Sequence, residues 1–131
     1  DLQAVRALCR HCRILLVDTL SPSVADIGLG VKTAVSMGAD VVTVGVATGE
    51  TSSDTSDDSE YFDHPGGVIT AAAGDDGYGV SYPAASPDVI SVGGTTLTPS
   101  GGTCPASARG WCESVWNDFS APSGGCWIAP A

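Results

Sequence analysis

Residues 67–92 read GVITAAAGDDGYGVSYPAASPDVISV and carry the clearest signals of the fold in this chain. Its first apolar run, residues 68–73, is typical of a buried strand. The run breaks into an acidic turn, Gly74-Asp75-Asp76-Gly77-Tyr78-Gly79, and a second apolar run at residues 89–92 follows a loop with two prolines. A strand that ends in a tight, glycine-rich turn is where open α/β sheets place their chemistry. We therefore expect the functional site at this turn.

Two more strands and a helix are predicted upstream. The apolar runs at residues 14–17 and 40–47 are interpreted as buried strands, the second one buried on both faces. Between them, Ser23 is a candidate N-cap for a helix over residues 24–37, and Gly38 stands where a helix commonly ends. Strand, helix and strand with short connections form a βαβ unit. The predicted fold class is therefore α/β, a parallel sheet with flanking helices.

The remaining segments are predicted to lie around this sheet. Residues 1–8 have the apolar spacing of the tail of an amphipathic helix. Residues 48–63 are polar and acidic, with a helical turn expected around residues 59–62. A solvated segment is favoured over a calcium loop because the alternating ligand spacing and interior glycine are missing. We predict one domain, with a core of about residues 1–97 and a loop-rich part at 98–131. The aromatic residues expected to anchor those loops are Trp111, Trp116 and Phe119.

The composition limits the possible partners. The chain has 131 residues, 43% of them hydrophobic and 15% charged, which argues against disorder. Its net charge of −10 and pI of about 4.1 make nucleic acid and anionic membranes unsuitable partners. No stretch is long and apolar enough to span a bilayer. We expect a secreted, acid-tolerant monomer, and a piece of a longer protein, since the sequence begins and ends within elements.

Five cysteines permit three interpretations of the motif Cys9-Arg10-His11-Cys12. An odd count in a chain poor in lysine indicates an extracellular disulfide protein, and a structural Cys9–Cys12 disulfide is favoured. A redox site would require the first cysteine at a helix N-terminus, and a zinc site would require a second Cys/His pair. Local pairing is also open to Cys104 and Cys112, which leaves Cys126 without a partner.

The acidic turn itself has several possible uses. It matches neither of the common phosphate-binding glycine motifs, and two adjacent carboxylates would repel phosphate. Asp75 and Asp76 could bind a divalent cation, but no second cluster completes the ligand shell. A turn in which Asp caps backbone amides is the remaining interpretation from residue type alone.

Residues 71–97, AAAGDDGYGVSYPAASPDVISVGGTTL, resemble the core of the sedolisins, serine-carboxyl peptidases with a subtilisin-like fold. In that family a strand leads into Ser/Ala-Gly-Asp-x-Gly, then into a Tyr/Phe-Pro-Ala-Ser/Ala-Ser-Pro stretch and Val-Gly-Gly-Thr. Shorter similarities lie outside this run. Residues 1–5 resemble the end of the Glu-x-x-x-Asp helix motif, residues 9–17 a bacterial branch of the family, residues 113–117 its Glu-x-Val-Trp-Asn, and residues 123–126 its Ser-Gly-Gly-Gly-type turn.

The resemblance implies a peptidase that acts on peptides or proteins at acidic pH. In such enzymes a Ser attacks the peptide carbonyl, a Glu is the base, one Asp orients the Glu, and a second Asp replaces the oxyanion-hole Asn of subtilisin. The orienting Asp matches Asp1, and the oxyanion Asp matches Asp75. The resemblance also implies calcium in the full-length family domain, although no cofactor is expected within these residues.

The sequence also departs from the family pattern. No residue matches the Glu base or the Ser nucleophile, so we expect no peptide hydrolysis by these residues alone. The family's Ser-x-Ser-Trp/Tyr-Gly-Gly is replaced at residues 43–49, and neither His11 nor His64 has the flanking sequence of a serine-protease triad. Two alternatives therefore stay open: a non-catalytic secreted binding or structural module of the same fold, and a CxxC thiol redox domain.

Overall fold

The computed structural model describes residues 2–101 and 110–118. Its helices are α1 (Leu2–Leu8), α2 (Val24–Ser36) and α3 (Asp54–Asp57), which continues into a π-helical turn at Asp58–Phe62. Its strands are β1 (Val41–Val44), β2 (Val68–Ala72), β3 (Ile90–Val92), β4 (Thr95–Pro99) and β5 (Trp111–Val115). Strands β1, β2 and β3 form a parallel sheet in that order, and β4 and β5 form an antiparallel pair. The predicted α/β class is confirmed.

Helix α2 forms where its sequence predicts it. The Ser23 side chain accepts a hydrogen bond from the Asp26 backbone N–H at 3.2 Å, which satisfies one of the free donors of the first turn. Ile27, Val31 and Ala34 recur at helical spacing and are all buried. Gly38 follows the C-cap with a φ of +85°, a conformation that glycine adopts without steric cost.

The core lies between α2, the π-helical turn and the parallel sheet. Its largest members are Phe62 and Tyr82, both about 1% exposed, whose rings meet edge to face with centroids 5.6 Å apart. Gly28 lets the Tyr61 ring pack directly against α2, because a Cβ atom there would overlap that ring. Strand β2 contributes the small buried residues Ala71 and Ala72, and small side chains let neighbouring backbone come close.

One strand prediction was wrong, and a second was confirmed only in part. Residues 14–17 form no strand: Leu16 is 62% exposed, and the run is irregular. An apolar run indicates a tendency to be buried, but a strand also needs a hydrogen-bonding neighbour, and among the described residues β1 pairs only with β2. The other run is a strand only at Val41–Val44, and it is not buried on both faces, since Val41 is 59% exposed.

A strand pair extends into the part of the chain predicted to be loop-rich, residues 98–131. Thr95 pairs with Val115, and Thr98 pairs with Cys112. β-branched threonines suit a pleated, partly exposed surface, whereas the surrounding glycines and prolines suggested a loop. Of the aromatic residues expected to act as anchors, Trp116 packs against the core, Trp111 is 51% exposed, and Phe119 lies outside the described residues.

The cysteines confirm one prediction. Cys9 and Cys12 form a disulfide directly after the C-terminal end of α1, not at the helix N-terminus that a redox motif requires. Cys112 is disulfide-bonded as well. Cys104 and Cys126 lie outside the described residues. Within the described ranges, no helix combines the length and apolar character that crossing a bilayer requires.

The N-cap of α2 provides a test of this local structure. Replacing Ser23 with alanine should lower the free energy of unfolding by about 1 kcal/mol, because the Asp26 N–H loses its acceptor. Urea unfolding would measure the change. Ser36→Ala, at the exposed last residue of the same helix, should change it by less than about 0.5 kcal/mol. Equal effects of the two substitutions would contradict the capping role.

Candidate active site at the end of strand β2

Ala73 connects strand β2 to its surroundings at the point where the strand ends. It is fully buried; its N–H donates to the Val92 carbonyl at 3.0 Å, and its carbonyl accepts from the Ser81 N–H at 2.7 Å. The last residue before the acidic turn (residues 74–79) is therefore hydrogen-bonded both to β3 and to the chain that returns from the turn. These two bonds fix where the turn begins.

Gly74 is required by the geometry of the turn. Its φ of +106° lies where residues with a Cβ are strained, and a Cβ atom there would also overlap the Ser81 hydroxyl oxygen. The chain reverses tightly at this residue, so the next side chain, Asp75, lies directly at the end of the strand. The Gly-Asp order of the sequence thus has a steric cause.

Asp75 is held by the segment that follows β5. Its carboxylate oxygen Oδ1 accepts a hydrogen bond from Trp116 Nε1 at 2.7 Å, and its backbone carbonyl accepts from the Asp118 N–H at 3.0 Å. Asp76 forms an isolated antiparallel bridge with Asn117. We call residues 116–118 the clamp segment. Residue type alone predicts that Trp116 anchors a loop; the Glu-x-Val-Trp-Asn motif is the signal that it belongs to the site.

The two adjacent carboxyl groups of the turn differ in environment. Asp75 is 9% exposed, whereas Asp76 is exposed to solvent. A buried carboxyl with one oxygen fixed by an N–H donor has a defined orientation, and when protonated it can donate a hydrogen bond from its other oxygen. This arrangement can stabilise a developing negative charge on a bound group.

Tyr82 anchors the chain that leaves the turn. Its hydroxyl donates to Asp58 Oδ1 at 2.8 Å and lies 3.3 Å from the Asp54 carbonyl, and its backbone exchanges two 2.8 Å hydrogen bonds with Thr48. Burial, together with the bond to Asp58, raises the pKa of Tyr82 well above its usual range. Residues 48–63 were predicted as a solvated acidic segment with a helical turn around residues 59–62. The helical turn is present at Asp58–Phe62, but the segment also holds this buried phenol.

The other residues considered from the sequence lie outside residues 74–79. Asp1 lies outside the described residues, so its predicted role is untested. His11 is exposed; His64 is partly buried, and its Nε2 atom is the one buried side-chain polar atom without a partner among the described residues. Thr43, in the altered segment at residues 43–49, accepts a hydrogen bond from Thr70 at 3.2 Å. The described residues contain no group of three or more His, Cys, Asp or Glu that could hold a metal ion.

Comparison with known proteins identifies one family. The model of the family described as the Subtilase family matches residues 8–128, which is nearly the whole chain and includes the acidic turn and the clamp segment. No curated protein matches the chain.

The Tyr82–Asp58 hydrogen bond can be tested by Tyr82→Phe. Loss of the hydroxyl leaves the Asp58 oxygen without its buried donor, so the free energy of unfolding in urea at pH 7 should fall by about 1–3 kcal/mol. Tyr78→Phe is the matched control, because Tyr78 is 84% exposed and its loss should change little. A Tyr82→Phe protein as stable as the control would show that the hydrogen bond makes no net contribution to the free energy of unfolding.

The raised pKa of Tyr82 also predicts how stability depends on alkaline pH. An unfolded tyrosine ionises near pH 10, whereas folded Tyr82 stays neutral to higher pH. Its contribution to the free energy of unfolding is therefore complete below about pH 10 and is lost as the pH rises further. Absorbance of tyrosinate at 295 nm at pH 10.5 should be lower in the folded than in the urea-unfolded protein. Tyr82→Phe should reduce that difference; an unchanged difference would contradict the assignment.

Proposed function

The chain belongs to the subtilase family of peptidases, and from this premise we propose that it is part of a sedolisin-type serine-carboxyl endopeptidase acting on peptides or proteins at acidic pH. The observation that carries the proposal is the buried, indole-bonded carboxyl of Asp75 at the end of a central parallel strand. That carboxyl stands where the resemblance puts the oxyanion-binding Asp.

The chemistry of Asp75 explains the choice of acidic pH. In acyl transfer, the carbonyl oxygen of the substrate becomes an oxyanion, and a donor aimed at that oxygen lowers the barrier. A carboxyl group is a donor only while it carries its proton, and a deprotonated one would repel the oxyanion. An enzyme that uses Asp for this purpose therefore works in acid, which agrees with the low content of basic residues.

Other parts of the site are proposed from the resemblance alone. Asp1 would orient the Glu base, but neither that Glu nor the Ser nucleophile has a matching residue among the 131. We therefore propose that these residues alone do not hydrolyse peptides. Secretion, a monomeric state and calcium binding in the whole domain are parts of the same proposal, and the calcium ligands match no residue of this sequence.

A non-catalytic peptide-binding module of the same fold is the second candidate. It is favoured by the replaced segment at residues 43–49, where Thr43 is hydrogen-bonded to the neighbouring strand through Thr70. Such a module would bind peptides at acidic pH without cleaving them. The coding sequence on both sides separates the two candidates: the peptidase requires a Glu four residues before Asp1 and a Gly-Thr-Ser downstream.

The protein encoded by the whole gene provides the test of activity. It should cleave a fluorescence-quenched peptide in acid, and Asp75→Ala should lower kcat by about 10²–10³-fold because the oxyanion loses a donor. Asp75→Asn keeps a donor at every pH, so the active range should extend toward neutral pH. Asp76→Asn, in the same turn but exposed, is the control and should retain activity. A fully active Asp75→Ala protein, or peptide binding without cleavage by the unaltered one, would overturn the peptidase proposal.

A further inference from the structure

We propose that Trp116 is the positioning residue of Asp75: its indole N–H makes Oδ1 the accepting oxygen in both protonation states, so that the proton of the neutral acid is carried by Oδ2. This inference rests on the proposed function for its purpose, but its physical content concerns two side chains of this chain. The bond that supports it joins Trp116 Nε1 to Asp75 Oδ1 at 2.7 Å.

Trp116 is itself firmly placed. Its backbone N–H donates to the Gly94 carbonyl at 3.3 Å, between strands β3 and β4, and its side chain packs against the core. Two residues later, the Asp118 N–H binds the backbone carbonyl of Asp75. The backbones of Trp116 and Asp75 are therefore each fixed by a hydrogen bond, and the Asp75 side chain cannot rotate without losing its bond to the indole.

The identity of the donor decides where the acid proton lies. An indole N–H donates and has no acceptor capacity, so the oxygen that it binds must accept. In a neutral carboxyl group the carbonyl oxygen is the better acceptor, and the hydroxyl oxygen is the donor. With Oδ1 bound to the indole, the proton is placed on Oδ2. That atom has no hydrogen-bond partner among the described residues and is not one of their buried unpartnered atoms, so it remains available to a bound group.

A simpler role must be distinguished from this one. Asp75 could serve only to satisfy the partly buried indole of Trp116, since a buried donor without an acceptor is costly. Under that role the bond matters for folding alone, and protonation of the carboxyl could place its proton on either oxygen. Under our proposal the bond persists when the carboxyl is neutral.

Hydrogen exchange of the Trp116 indole N–H, followed by NMR in this chain, separates these cases. Trp116→Phe assigns the resonance, and Asp75→Leu gives the exchange rate without an acceptor. We expect exchange about tenfold slower than in Asp75→Leu at pH 6, and the same protection in acid at pH 2.5. The Ala73 amide, which donates to Val92, reports whether the fold is intact at the lower pH.

The nearby titratable groups are controlled in the same experiment. Asp76 lies in the same turn and Asp118 on the clamp segment. Asp76→Asn and Asp118→Asn should leave the pH dependence of the Trp116 indole N–H chemical shift unchanged. Asp75→Asn should abolish that pH dependence but keep the indole protected from exchange. Loss of indole protection at pH 2.5 with the Ala73 amide still protected would place the proton on Oδ1 and overturn the proposal.

A kinetic measurement tests the purpose of the bond. In the protein encoded by the whole gene, Trp116→Phe should lower kcat by about 10–100-fold and change KM by less than about twofold, since the donor aimed at the oxyanion is misplaced while substrate binding is kept. Trp111→Phe, at an exposed indole, is the control. An unchanged kcat of folded Trp116→Phe protein would overturn the positioning role. An inactive unaltered protein would instead overturn the proposed function, and the exchange experiment would still decide the placement of the proton.

Discussion

The hydrogen bond from Trp116 Nε1 to Asp75 Oδ1 connects the two sheets at the point where strand β2 ends. It satisfies two groups at once, an indole donor packed on the core and a carboxyl that is only 9% exposed. Each would be costly to bury alone, because a polar group removed from water needs a partner. The antiparallel pair β4–β5 therefore does more than extend the fold: it delivers the clamp segment that orients the carboxyl of the acidic turn.

The opposite side of the turn is fixed by a second buried polar contact. Tyr82 belongs to the chain that leaves the turn, and its hydroxyl binds Asp58 on the π-helical turn beneath it. Between these two contacts, the backbone bonds of Ala73 and the positive φ of Gly74 leave little freedom. A group held in this way needs no reorganisation when charge develops beside it, which is the physical requirement for electrostatic stabilisation of a transition state.

Membership of the subtilase family and the geometry of the turn contribute different parts of the functional argument. The family gives the reaction class, because one fold can carry many chemistries and only the site distinguishes them. The geometry gives a buried carboxyl, fixed by an indole N–H at the end of strand β2, and in our proposal this acid takes the place of a neutral amide donor. Under that proposal the carboxyl links the function to acidic pH. Asp75 and Asp76 are adjacent in one turn, but they differ both in exposure and in the indole hydrogen bond that only Asp75 accepts.

Helix α2 and the strand that ends in the acidic turn could both be predicted from the amino-acid sequence. Capping by Ser23, apolar spacing and the order Gly74-Asp75 are local properties, and local properties can be read along the chain. Tertiary structure alone decided that residues 14–17 form no strand, that Thr95–Pro99 and Trp111–Val115 pair, and that Trp116 and Tyr82 bind carboxylates 41 and 24 residues away. The physical reason is that strand pairing and buried hydrogen bonds need partners distant in sequence, and a one-dimensional pattern does not specify which partner will be adjacent.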